Sequence, residues 1–201
     1  MGLTGSSLPV GSQSSSLPAG FFEQAVKAKE NYENGSGDIP TVWKVDGDLA
    51  SNTEGFTDCA RWYAFESDIT SGGADANRSS GATGGGGFQA KPVYIAFPSN
   101  VQGIGALLTN FGSHKTIEKI EIGTLQTFGS TTVVASIYTF EKCQLTSAVK
   151  KYHGDDISVA SFVYEKAEGK INRFDADGKK TGVDGGFSID LMTGKGGALG
   201  A

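Results

Sequence analysis

From Thr41 onward, apolar and polar positions alternate in short runs rich in β-branched and aromatic residues, separated by clusters of Gly, Asp and Ser. That is the pattern of half-buried strands between turns. It predicts strands at Thr41–Val45, Ala60–Ile69, Phe88–Phe97, Thr116–Gln126, Thr131–Leu145, Ser158–Lys166 and Phe187–Leu191. Ahead of them, Phe21, Ala25, Ala28 and Tyr32 fall at i, i+4, i+7 and i+11, one face of a helix that ends near Asn34-Gly35. A helix of about three turns is marginal alone and needs a surface to lie on. A second helix is predicted over Ser99–Phe111, where Ser99 and Gln102 form a capping-box pattern and Val101, Ile104, Leu108 and Phe111 share one face before Gly112. Gly103 and Gly105 each cost that helix about 1 kcal/mol, so packing against a sheet must hold it. The predicted class is mainly β, an antiparallel β-barrel or two-sheet sandwich with a flanking helix over an open end.

In Thr131–Leu145 both alternating sets are apolar: Val133, Ala135, Ile137, Cys143 and Leu145 on one side, Val134, Tyr138 and Phe140 on the other. A strand wet on one face would alternate more cleanly, so either a helix or a neighbouring subunit covers the second face. Between the second and third strands lies the glycine-rich span Ser71–Gly87, longer than the ~12 to 15 residues usual for a structureless loop in a compact domain. Ordering it costs roughly 1 to 2 kcal/mol per residue of backbone entropy, which its small side chains do not recover. It is either floppy alone or held by a partner. Three parts follow: residues 1–40, a Ser/Gly-rich extension with a short helix; 41–193, the β domain; and 194–201, a flexible tail.

Composition narrows the function classes. The 201 residues include 30 glycines, about twice the usual share of ~7%, which fits many turns. A net charge of −5 argues against nucleic acid as a partner. Cys59 and Cys143 lack any metal-site spacing and read as two half-buried thiols. No basic n-region leads an apolar stretch, and no 18 apolar residues run together, so neither a cleaved signal peptide nor membrane insertion is expected. His114 and His153 have no companion ligands at metal-site spacing, and Asp175-Ala176-Asp177-Gly178 reads as a hairpin turn because the remaining ligands of a calcium loop are missing. Gly84–Gly87 precede a strand and no Lys-Ser or Lys-Thr, so they do not form a phosphate cradle, and no Gly-x-Ser-x-Gly elbow is present. The expectation is a protein that is not an enzyme and takes no cofactor or metal.

The C-terminal half carries the most specific succession: Tyr138-Thr139-Phe140-Glu141-Lys142-Cys143-Gln144-Leu145-Thr146-Ser147, then Gly154-Asp155-Asp156, Phe162-Val163-Tyr164-Glu165-Lys166 and Phe174-Asp175-Ala176-Asp177-Gly178-Lys179. It resembles the haemolysin-coregulated protein family, the tube subunit of bacterial type VI secretion. Val42-Trp43-Lys44-Val45-Asp46-Gly47 resembles that family's first strand, Ser71–Gly87 its extended loop and Ser99–Phe111 its helix. The resemblance spans about residues 41 to 193. Two features depart from it: forty residues precede the first strand, and Ser158 stands where the family often carries an acidic residue.

The resemblance implies a small β-barrel, six copies closing into a ring, and rings stacking into a tube. A contracting sheath expels that tube with its spike protein and effectors. The chain would assemble in the bacterial cytoplasm and be secreted without a signal peptide. Ser71, Gly72, Gly73, Asn77, Arg78, Gly81, Gly84, Gly85, Gly86 and Gly87 are then the expected ring-stacking loop, and Tyr138, Phe140, Phe162 and Tyr164 the expected subunit interface. Two alternatives stay open: a monomeric β-barrel module for a small apolar ligand, and a tail-tube protein of a related phage-like contractile device.

Overall fold

A computed structural model of the chain describes residues 17–35, 41–46, 59–71, 88–99, 109–110, 112–152 and 156–199. Helix α1 (Phe21–Glu33) opens at Gly20, in the left-handed region at φ 76°, and closes at Asn34, whose N–H donates to Glu30 O at 3.0 Å. The strands are β1 (Thr41–Val45), β2 (Ala64–Glu66), β3 (Ile69–Ser71), β4 (Phe88–Ala90), β5 (Val93–Pro98), β6 (Ile117–Phe128), β7 (Thr131–Tyr152), β8 (Ile157–Val163), β9 (Lys166–Phe174), β10 (Lys180–Asp190) and β11 (Lys195–Leu199). All pairings between them are antiparallel.

The organising element is a long bent ribbon. β8 and β9 run one after the other along β7, Ile157–Val163 against Gln144–Tyr152 and Lys166–Ile171 against Ser136–Glu141. The bend falls where Lys142 takes φ 55° and the β7–β8 register shifts, a local crowding typical of a bulge that turns a strand from one sheet into another. One half of the ribbon sits in a first sheet, ordered β1-β6-β7-β9-β10-β11, and the other in a second, ordered β7-β8-β5-β2. A reciprocal bridge of 2.7 and 2.8 Å between Trp43 and Ala60 joins β1 to the segment that enters β2, so the sheets close on that side.

The core lies between the sheets. Trp43, Ile120, Ile122, Phe140, Ala167 and Ile189 from the first meet Val93, Ile95, Phe97, Ala160 and Phe162 from the second. β5 is buried on both faces because Tyr94 and Ala96 lie under α1, where Phe21 and Ala25 also cover Ala64, Ile157 and Val159. The first two members of the apolar stripe read from the sequence make this contact, while its last, Tyr32, is half exposed and stacks under the Arg61 guanidinium at 3.8 Å.

Several strands differ from expectation. Ala60–Ile69 breaks into a bridge and two short strands, and Trp62 turns aside to donate its indole N–H to Gly123 O at 3.0 Å. The strand from Thr131 runs on to Tyr152, and β9, most of β10, and β11 were not anticipated. Where a flexible tail was expected from 194, Lys195–Leu199 pairs with β10. Asp190 Oδ1 accepts from Met192 N and Thr193 N, both at 3.0 Å, and Gly194 at φ 66° completes the turn. These backbone donors, Thr193 first, hold the Asp190 carboxyl below its usual range. Segment 175–179 is the hairpin turn its residues predict: Asp175 Oδ1 accepts from Asp177 N at 3.1 Å and Lys179 N at 2.8 Å. Of the expected helix Ser99–Phe111, Thr109, Asn110 and Gly112 are helical, Ser99 is a turn, and the rest lies outside the described residues.

Candidate assembly surfaces

The glycine-rich span is mounted on a two-stranded ribbon. β3 and β4 pair in the register Ile69↔Ala90, Thr70↔Gln89 and Ser71↔Phe88, apart from the main sheets. Lys91 and Asp68 clamp its base through an ion pair and a backbone bond, Lys91 N to Asp68 O at 3.0 Å. Of the expected stacking residues, Ser71 ends β3; Gly72, Gly73, Asn77, Arg78, Gly81 and Gly84–Gly87 lie outside the described residues.

The expected interface aromatics are elsewhere. Phe140, Phe162 and Tyr164 are 0, 1 and 6% exposed, inside the core of a single chain. Phe140 sits 5.4 Å from the Phe162 ring and 4.8 Å from that of Tyr164, the spacing of tilted aromatic packing. They leave a neighbouring chain nothing to touch, so their assignment to an interface is corrected. Tyr138 is half-buried, 5.3 Å from Phe65 and 6.1 Å from Phe187. The outward side of β7 is likewise covered within the chain, by residues that the register shift at Ser136/Val134 draws from both alternating sets. Val134 and Ile137 are buried in an outer cluster with Val42 and Leu125, against which Cys59 packs. Ser158 is buried and shares a 2.9 Å hydrogen bond with Ser99.

What the first sheet turns outward is charge. Register places Lys119, Glu141, Lys166 and Asp190 in one row across β6, β7, β9 and β10, alternating in sign. The row beside it holds Lys44, Glu121, Thr139, Glu168 and Ser188. Glu121, only 4% exposed, accepts from Thr139 Oγ1 at 3.3 Å and lies 3.7 Å from Lys119 Nζ, while Glu168 pairs with Lys170. Opposite charges facing each other across strands stabilise the sheet modestly and keep this face wet. No pattern along the chain announces these rows, because each is assembled from separate strands.

A cavity of about 600 Å³ opens between β2–β3 and β10–β11. Exposed apolar side chains are few and separate: Met192, Ile171, Tyr32 and Val163 among the described residues. Among those residues no helix is long and apolar enough to cross a membrane, and no three of His, Cys, Asp and Glu gather as metal ligands.

No family model matches the sequence, and no curated protein does. The fold, however, has solved counterparts. A type six secretion system protein matches over 80% of this chain and 100% of its own length, with TM-score 0.58 and 15% identity. Hcp1 from Salmonella typhimurium matches over 79% and 98%, with TM-score 0.54 and 11% identity. A further Hcp protein matches over 77% and 98%, with TM-score 0.52 and 14% identity. The resemblance read from residues 41 to 193 is thus met by a likeness of fold.

Proposed function

We propose that this chain belongs to the haemolysin-coregulated protein family and is a tube subunit of a type VI secretion apparatus. It closes into hexameric rings that stack and are expelled by a contracting sheath, together with a spike protein and effectors. The observation that carries this reading is the fold likeness, over 77 to 80% of this chain, to a type six secretion system protein and to Hcp proteins. The β3–β4 ribbon adds support, since it holds the ends of the long glycine-rich span together and away from the main sheets. A segment so placed gains from a partner that shares the cost of ordering it. The protein acts by shape and repetition rather than by catalysis, and it assembles in the cytoplasm before export.

Sedimentation and negative-stain microscopy of the purified chain test this directly. Rings of six copies, stacking at higher concentration, are expected; a single chain at every concentration would overturn the reading. Removing residues 81 to 87 should weaken stacking and leave single rings intact, whereas loss of the rings themselves would place the loop within the ring.

A further inference from the structure

The cavity between β2–β3 and β10–β11 plays no part in the function proposed above. Its volume of about 600 Å³ falls within the range of roughly 300 to 1,000 Å³ typical of small-molecule sites. Phe65, Tyr138, Phe187 and Ile69 supply apolar wall, and Gly196 and Gly197 on the edge strand present backbone alone. Among the described residues lining it none is charged, so an ion entering would shed hydration with none of these to replace it.

Two serines, Ser67 and Ser188, add hydroxyls to the lining, and Ser67 is the one left incomplete. Its Oγ is buried without a properly formed hydrogen bond, although it lies near enough to the Tyr164 hydroxyl to oppose the upward push that burial gives that group. A buried hydroxyl in that condition gains from any partner that completes it. The rings around it are tilted to one another, Phe65 and Tyr138 by 55° and Tyr138 and Phe187 by 58°. A flat guest can therefore meet one by its face and another by its edge, the two favoured aromatic arrangements.

We propose that this cavity binds a neutral, ring-bearing small molecule with one hydrogen-bonding group, which packs among Phe65, Tyr138 and Phe187 and draws the Ser67 hydroxyl round from beside Tyr164 to meet it. The proposal stands apart from the tube reading and holds for a single chain.

Titration of the full chain with N-phenyl-1-naphthylamine, a neutral aromatic fluorophore with one N–H, provides the test. Saturable binding of one molecule per chain is expected. Ala198→Trp should lower affinity about tenfold or more, because Ala198 lines the cavity opposite Phe187 and the indole would fill it. Ser67→Ala should weaken binding roughly two- to tenfold, and it removes a single oxygen, so it stays informative if the larger substitution impairs folding. Lys27→Ala, on α1 and away from the cavity, should change nothing. The proposal is overturned if binding does not saturate, or if it is undiminished in both cavity variants. Unchanged affinity in Ser67→Ala alone removes the hydrogen-bonding role. Loss of binding in step with assembly would make the cavity a contact between copies instead.

Discussion

Replacing Phe140 by Ala separates a core residue from an interface residue. The side chain is fully buried, with the rings of Tyr164, Phe162 and Phe65 at 4.8, 5.4 and 6.1 Å. Truncating a buried Phe costs about 3 to 5 kcal/mol, the spread reflecting how far the surroundings close over the void. Two of these rings, Phe162 and Tyr164, are themselves locked in the core and leave little room for such closure, which favours the upper end. For a chain of this size the loss corresponds to a fall in Tm of roughly 6 to 20 °C. The assay is urea unfolding at concentrations where sedimentation finds single chains only. A lower midpoint at unchanged slope is expected. If the isolated variant lost less than about 1 kcal/mol and instead failed to form rings, Phe140 would be an interface residue after all and the reasoning from burial would be wrong.

Two further perturbations follow from local geometry. Gly178→Ala must hold φ at 80° with a Cβ 2.9 Å from that of Phe128, so it should cost at least about 1 to 2 kcal/mol; a thermal melt at or above that of the parent would refute this. Burial pushes the Cys143 thiol up to about 12, against ~8.5 for an exposed one. The fold thus prefers the neutral thiol, and the corresponding stability is whole below about pH 8.5 and fades as pH climbs toward 12. The urea midpoint of the parent minus that of Cys143→Val should therefore fall between about pH 8 and pH 11, and a difference that ignores pH would count against the burial argument.

What could be read in the sequence was set by side chains that advertise their face. Phe21 and Ala25 mark α1, and Thr41–Val45 was placed to the residue, because a helical stripe and a β-branched run are local signals. β9 gave no such signal. Its inward positions include Ala167, and Gly169, over which the Phe187 ring packs so closely that an added Cβ would stand 2.5 Å from it. The apolar surface there is supplied by the partner strand, which no pattern within β9 records. β10 and β11 are similarly silent, with Gly182, Gly185, Gly186, Gly196 and Gly197 contributing paired backbone and no side chain. The interface aromatics went astray for a different reason. Apolar residues on both faces of a strand point to a covering helix or a neighbouring subunit, but the fold provides two coverings of its own, the core for Phe140 and the outer cluster for Val134 and Ile137. The charged rows depend on register, which sequence alone leaves open.

That correction changes what assembly must accomplish. If greasy second faces had been left bare, the single chain would be unstable without its neighbours, and its Tm would rise with concentration as in an obligate oligomer. Instead α1 seals the outer face of β5 and β8 with Phe21 and Ala25, and the outer face of the first sheet carries paired charges. The single chain is therefore a complete folding unit, and the ring formation proposed above would be a later step. Dilution below the point where rings dissociate should leave the far-ultraviolet circular dichroism unchanged and move Tm by no more than a few degrees. Phe21→Ser, by loosening the helix, should expose Tyr94, Ala96, Ile157 and Val159 and cost about 1.5 to 3 kcal/mol at every concentration. A parent chain that unfolds on dilution would show that the closure provided by α1 is insufficient, and that sister copies complete the fold.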